Sequence, residues 1–239
     1  MLSALASIYD TLGLISPTTL KAKLVLAKTW TRELTWDEPI PEDIRQEWTM
    51  VMEEWAESKF SAPRFSGYSN QTSEFHVFAD ASSKAIGIAA YLVINERSNL
   101  ILAKSRIKPK AIPDNKENTI PRLELKAIAD AVKIADYLCN ELRLNKDEVY
   151  VWSDSSCSID RIRSGKKFER VLQNQLLKIR GRYPIWHVRS EDNPADIATR
   201  GSTPLELQHN DLWLKGTTWL PALTGPILLW CIRQKTMKS

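Results

Sequence analysis

The sequence predicts an α/β fold: a mixed five-stranded sheet flanked by helices, with a small helical segment ahead of it. Three observations carry this. Residues 74–80 alternate, with Phe75, Val77 and Ala79 on one face and His76, Phe78 and Asp80 on the other, which is the period of a strand. Two further strand-like runs follow, at 85–94 and 99–107. Then the period lengthens: Leu125, Ile128, Ala131, Val132, Ala135 and Leu138 recur three or four positions apart, as on one face of a long helix.

Taken in order, residues 1–66 read as a helical segment separate from the sheet. Leu2, Leu5 and Ala6, then Leu20, Leu24 and Ala27, have helical spacing, and Ser16-Pro17 reads as N-cap and first helical position. A proline-punctuated connector (35–43) leads into a helix over 42–58, with Ile44, Trp48, Val51, Met52 and Trp55 on one stripe. Those tryptophans suit a packing surface better than a ligand site. The polar, turn-rich stretch 67–73 reads as a linker. The sheet region covers 74–201. Its first three strands form a meander with a turn at ERSN, 96–99, and a polar loop then leads to Pro121 and a helix reaching about residue 142. A short apolar strand (149–152) runs into Ser153-Asp154-Ser155-Ser156. Helices at 155–163 and 168–180 follow, then a strand at 184–188 and a short helix opened by Asn193-Pro194. Residues 202–239 are a C-terminal extension, whose last fifteen or so residues match no pattern.

Composition sets bounds on function. The chain has 239 residues, 43% hydrophobic and 26% charged, with a net charge of +4, ordinary for a globular protein and mildly favourable to a polyanionic partner. Cys139, Cys157 and Cys231 are far apart and odd in number, which argues against a disulfide framework or a zinc site. No leader-like or membrane-spanning run occurs, so an intracellular location, cytoplasmic or nuclear, is expected.

Four acids stand at special places in this order. Asp80 lies near the end of the first strand, Glu124 early in the long helix, Asp154 just past the fourth strand and Asp196 in the last short helix. Parallel pairing of strands one and four through a right-handed crossover sets Asp80 beside Asp154. The helix between them crosses the sheet and can lower Glu124 toward the same edge. Converging carboxylates repel unless cations neutralise them. An all-oxygen set suits Mg²⁺ or Mn²⁺. Two such ions about 4 Å apart can activate a water and stabilise the leaving oxygen of a phosphodiester. Small neighbours (Ala81, Ser82, Ser83, Gly87) leave room there for metal and substrate; the bland alternative for Asp80 is a strand-end acid capping a turn.

The phrases FADAS, PRLEL, WSDSS and NPADIATRG, in this order, resemble the ribonuclease H domain of reverse-transcribing elements, closest to the BEL/Pao class of LTR retrotransposon polyproteins, the Pao peptidase-type family. LASIYDTLGLISP, KLVLAKTW and LTWDEPIPE look like the thumb or connection segment preceding that domain, and NPAD, ATRG, LW and WLP like the stretch that closes it. The resemblance spans residues ~5–220. It implies a ribonuclease H-like sheet, metal-binding and catalytic roles for Asp80, Glu124, Asp154 and Asp196 with two Mg²⁺ or Mn²⁺ ions, and hydrolysis of the RNA strand of an RNA–DNA hybrid. Other segments of a retroelement polyprotein become possible partners. Ser82, Ser155, Asn193 and Arg200 stand beside the acids and are candidates to contact substrate, though each also suits a cap or turn. Arg122 and the basic bend Arg163, Lys166 and Lys167 are candidates for phosphate contacts, against a solvated charged face.

The departures are informative. Many ribonucleases H carry a histidine in the loop before the last acid; here that loop reads RSEDNPAD, and His187 falls in the preceding strand, where a structural role is expected. No YxDD polymerase, HHCC integrase or D[ST]G protease motif occurs, and Asp80-Ala81-Ser82 lacks the glycine of an aspartic protease. The rival reading is a catalytically weak or inactive module of the same fold that binds nucleic acid or a partner; a functionless relic of a truncated element is a third.

Overall fold

The computed structural model describes residues 1–56, 58–61, 73–108 and 119–221. The alternating stretch forms β1 (Glu74–Ala81), followed by β2 (Ala85–Ile94) and β3 (Arg97–Ile107). These three make an antiparallel meander, and β4 (Val149–Ser153) and β5 (Ile185–His187) extend it in parallel on the other side of β1. The sheet order is β3-β2-β1-β4-β5. The turn between β2 and β3 is not at ERSN. Asn95 and Glu96 both take positive φ, 50° and 58°, so a tight two-residue turn closes the hairpin and β3 starts two residues earlier than expected.

The helix between β3 and β4, counted here as α4 after three N-terminal helices, runs Ile120–Leu142 and buries the predicted face, including Leu125, Ile128, Val132 and Ala135. It crosses one face of the sheet over an aliphatic core of Val77, Ala79, Ile88, Val149, Val151 and Ile185. The helices α5 (Ser156–Arg163) and α6 (Arg170–Ile179) complete that layer.

The N-terminal segment holds α1 (Leu2–Ala6), α2 (Ser16–Thr31) and α3 (Glu42–Ala56). The expected stripe of α3 does pack: Ile44 and Val51 are buried against Ala22 and Val25, with Trp48, Met52 and Trp55 around them. Lys21–Glu54, Lys28–Glu47 and Arg32–Asp43 pairs lace α2 to α3 as antiparallel neighbours. The start of α2 differs from expectation. Ser16 is already helical and the cap position is Ile15; the Asp10 carboxylate fixes the approach to it, accepting the N–H groups of Leu14 and Ile15 at 2.9 and 3.1 Å.

The segment is not separate from the sheet. Leu12 O accepts the Ala103 N–H at 2.8 Å, adding a main-chain contact to the edge of β3. Gly13, at φ +74°, sits where a Cβ would fall 1.9 Å from Ala103 O, so only glycine allows that approach.

Beyond residue 201 the chain also packs. The helices α7 (Ala195–Arg200), α8 (Pro204–Gln208) and α9 (Asp211–Lys215) lie on the second face. Leu207, Trp213 and Leu220 are fully buried there with Phe78, Tyr91 and Trp152. Packing therefore crosses the boundaries expected at 66 and 201, because the N-terminal segment and residues 202–221 share the cover of the second face with α7. The linker at 67–73 lies, apart from Ser73, outside the described residues, as do the 109–118 part of the polar loop and the last eighteen residues. Among the described residues no helix is long and apolar enough to cross a membrane.

Candidate active site

Register decides the first two acids. Ala79 pairs with Ser153 across the parallel β1–β4 ladder, so Asp80 and Asp154, one residue further along each chain, leave the same end of the sheet together. The third comes from α7. Asn193, fully buried, donates from Nδ2 to Ala79 O at 3.2 Å and accepts the Ala195 N–H at its own Oδ1, fastening the start of α7 to β1. Gly87, opposite Asp80 in the β1–β2 ladder, lets the helix lie close: a Cβ there would meet Ala195 O at 2.5 Å and the Thr199 and Ala198 side chains within 2.9 Å. The space that Gly87 leaves is filled by α7 rather than by a ligand.

Electrostatics register this convergence. Burial pushes the Asp80 carboxyl up to about 6, helped by the negative charges of Asp154 and Asp196 and opposed by the Thr199 hydroxyl, which donates to Asp80 Oδ2 at 2.6 Å. Burial likewise raises the Asp196 carboxyl, with Asp154 adding to it and Arg200 opposing through a 2.8 Å ion pair. Glu124 approaches from the other face. Its Oε2 accepts the Ser155 hydroxyl at 2.6 Å, with Ser158 Oγ at 3.4 Å. Thus Asp80 carries the influence of both Asp154 and Asp196, and Asp196 that of Asp154, while Glu124 is held against the residue after Asp154. Among the described residues no three His, Cys, Asp or Glu side chains stand close enough to share one metal ion. The donor chemistry still fits a hard divalent ion, because the negative charge of Asp154 helps raise both the Asp80 and the Asp196 carboxyl at one sheet end, and such a cation would relieve that repulsion.

The remaining candidates divide. Ser82 accepts the Lys84 and Ala85 N–H groups, closing the β1–β2 turn, and lies 3.3 Å from Thr199 O. Ser155 caps α5 by accepting the Ser158 N–H. Asn193 is spent on main chain. Arg122 is 12% exposed and bonded to Glu169, bridging α4 to the start of α6. Arg200 is exposed and tied to Asp196. In the basic bend, Arg163 donates to Ile185 O, and Lys166 and Lys167 are exposed. His187 ends β5 beside Ser153 and is exposed rather than enclosed.

Thr199 was not singled out from sequence. Its only signal was position: three residues after Asp196, on the same helix face, inside the ATRG phrase.

Comparison with known proteins places this arrangement. The sequence profile of the Pao retrotransposon-like RNaseH-like domain matches residues 1–155. The chain belongs to that family. No curated protein matches it. Among solved structures, it is similar to RNase H1 from the archaeon Halobacterium salinarum NRC-1, at 15% identity, covering 51% of this chain and 90% of that one with a TM-score of 0.37. LC11-RNase H1, from compost metagenomic material and solved with an RNA/DNA hybrid, matches at 19% identity, 56% and 99% coverage and a TM-score of 0.41. The foamy viral protease-reverse transcriptase, solved with double-stranded DNA, matches at 12% identity over 79% of this chain and 34% of its own, with a TM-score of 0.47. This Pao-family domain thus spans about a third of that viral chain.

Proposed function

We propose that this domain hydrolyses the RNA strand of RNA–DNA hybrids, with Asp80, Glu124, Asp154 and Asp196 holding two Mg²⁺ or Mn²⁺ ions. The observation that supports it best is the placement of Asp80, Asp154 and Asp196, drawn from a strand, a strand end and a late helix, at one sheet end where Asp80 is raised to about 6. When bound, the ions would supply an activated water and charge stabilisation at the leaving oxygen. The chain's own part is positional. Asn193 and Gly87 seat α7, Thr199 orients the Asp80 carboxylate, and Ser155 orients Glu124. Arg200, exposed beside Asp196, can reach a phosphate of the hybrid; a domain of this fold reads the hybrid by shape and the 2′-OH marks the RNA strand.

A second reading has its own observation. Thr199, Ser155 and Arg200 already engage Asp80, Glu124 and Asp196, and no three acids lie within common reach of one ion among the described residues. A module that binds hybrid without cutting it would tolerate this. Cleavage of an end-labelled hybrid separates the two: metal-dependent cutting by the full chain, lost in Asp154→Asn, is expected. A folded chain that binds hybrid with either metal but leaves the RNA intact would favour the binding module.

A further inference from the structure

At the β3 edge of the sheet, a cavity of about 380 Å³ opens between the N-terminal segment and β3. Its wall includes Asp10, Ser16, Thr19, Lys23, Lys104 and Arg106. We propose that this cavity binds a phosphate group, presented by the backbone of a nucleic-acid strand.

Four observations carry it. First, the charge is unbalanced. The ion-paired lysines among the described residues are Lys21, Lys28, Lys126, Lys133 and Lys215; Lys23 and Lys104 are not among them. Arg106 stands 3.6 Å from Asp130, an acid it shares with Lys126 and Lys133. Second, the one carboxylate in the wall is occupied, because both Asp10 oxygens accept main-chain N–H groups. Burial holds the Lys23 ammonium below the ordinary lysine range, with Asp10 offsetting only part of that, so an anion beside it would stabilise its charge. Third, the Ser16 hydroxyl is buried without a hydrogen-bond partner in a residue 5% exposed, a cost that a phosphate oxygen would remove. Fourth, Ser16 begins the sixteen-residue α2, whose positive end faces the cavity wall and favours an anion.

Position suggests where the phosphate comes from. Ser105, also in the wall, donates to Ala198 O at 2.7 Å, and the Ser202 N–H reaches Pro17 O at 3.3 Å. The cavity is therefore built onto α7, the helix that carries Asp196. A strand lying over the carboxylates can continue into it. Binding here does not depend on hydrolysis.

The test uses the full chain in EDTA, so that nothing is cut. Inorganic phosphate is titrated while Tm is followed, and a labelled RNA–DNA hybrid is titrated by fluorescence anisotropy at several salt concentrations. Phosphate is expected to raise the Tm of the wild type. In Ser16→Ala, Lys23→Gln and Lys104→Gln that gain shrinks. The two lysine variants also lower the slope of log affinity against log salt by about one, whereas Lys23→Arg keeps it and Lys178→Gln, on α6, leaves the phosphate-induced gain unchanged. A phosphate response altered by these variants with hybrid binding unaltered would assign the cavity to free phosphate or a nucleotide. Equal behaviour of all variants and wild type toward both probes would overturn the proposal.

Discussion

The two faces of the sheet are built by different means. The α4 face is a mainly aliphatic layer of Ala, Val, Leu and Ile, with Phe75 and Tyr183 among them, held by shape and burial. The opposite face is aromatic, with Phe78 stacked near Trp152, Tyr91 edge-on to Phe78, and Trp213 and Trp219 beside them. It is tied by polar bonds between segments distant in sequence. Trp213 Nε1–H donates to Leu14 O at 2.8 Å, the Tyr91 hydroxyl to Trp213 O at 2.8 Å, Ser105 to Ala198 O, and Ser98 to Lys215 O. Burial is non-directional, so by itself it does not set the exact orientation of a layer. Directional bonds do fix it, and the helix that carries Asp196 lies on the face that has them.

The strongest challenge to this contrast is Trp213→Ala. It empties a fully buried site and breaks the tie to Leu14, and about 3–5 kcal/mol of stability should be lost. Denaturant unfolding should show that loss, with the N-terminal segment released, seen as faster proteolysis near Leu12–Gly13. A loss under 1 kcal/mol would mean that the aromatic face adds little.

Next is Gly87→Ala, whose added methyl meets the Ala195 carbonyl and the Thr199 side chain. About 1–3 kcal/mol should be lost by overpacking, and hybrid cleavage should fall further than stability because α7 is displaced from Asp80. Activity that merely follows the folded fraction would detach α7 from the site.

The aromatic face also encloses His76, stacked on Tyr150, accepting Trp152 Nε1–H at Nδ1, with Nε2 3.5 Å from Glu74. Burial lowers its pKa, Glu74 opposing. A histidine whose folded pKa lies below its unfolded value of about 6.5 contributes stability above that pH, which is lost as pH falls through the folded value. The Tm of the wild type should therefore drop below about pH 6.5 more steeply than that of His76→Phe. Parallel profiles would remove His76 as a source of acid sensitivity.

The smallest effect is expected on the other face. Ile128→Val in α4 removes one buried methyl and should cost about 0.5–1.5 kcal/mol, with hybrid cleavage unchanged. A drop in activity there would show that the aliphatic layer also sets the geometry of Glu124.

Much of this was written in local pattern. The period-2 runs, the 3.6-period face of α4 and the order of strands and helices put each element within a few residues of its place, and the parallel pairing of β1 with β4 followed from the crossover between them. The four acids stood out as candidates because each lies at or near one end of its element. What pattern left out depends on contacts between residues far apart in the chain. The Thr199 bond to Asp80 spans 119 positions and the Trp213 bond to Leu14 spans 199; neither residue carries a local signature of its partner. The start of α2 was misplaced for a related reason, since Asp10, outside the Ser-Pro signal, holds the Leu14 and Ile15 N–H groups that lead into the helix.

The sequence by itself determined which stretches become strands and helices, because backbone sterics and apolar period act over a few residues. Only the tertiary structure decided that the N-terminal segment and residues 202–221 close the second face, that Gly87 serves the approach of α7, and that three aspartates share one end of the sheet. Those outcomes rest on close packing and on hydrogen bonds whose two halves meet only once the chain has folded.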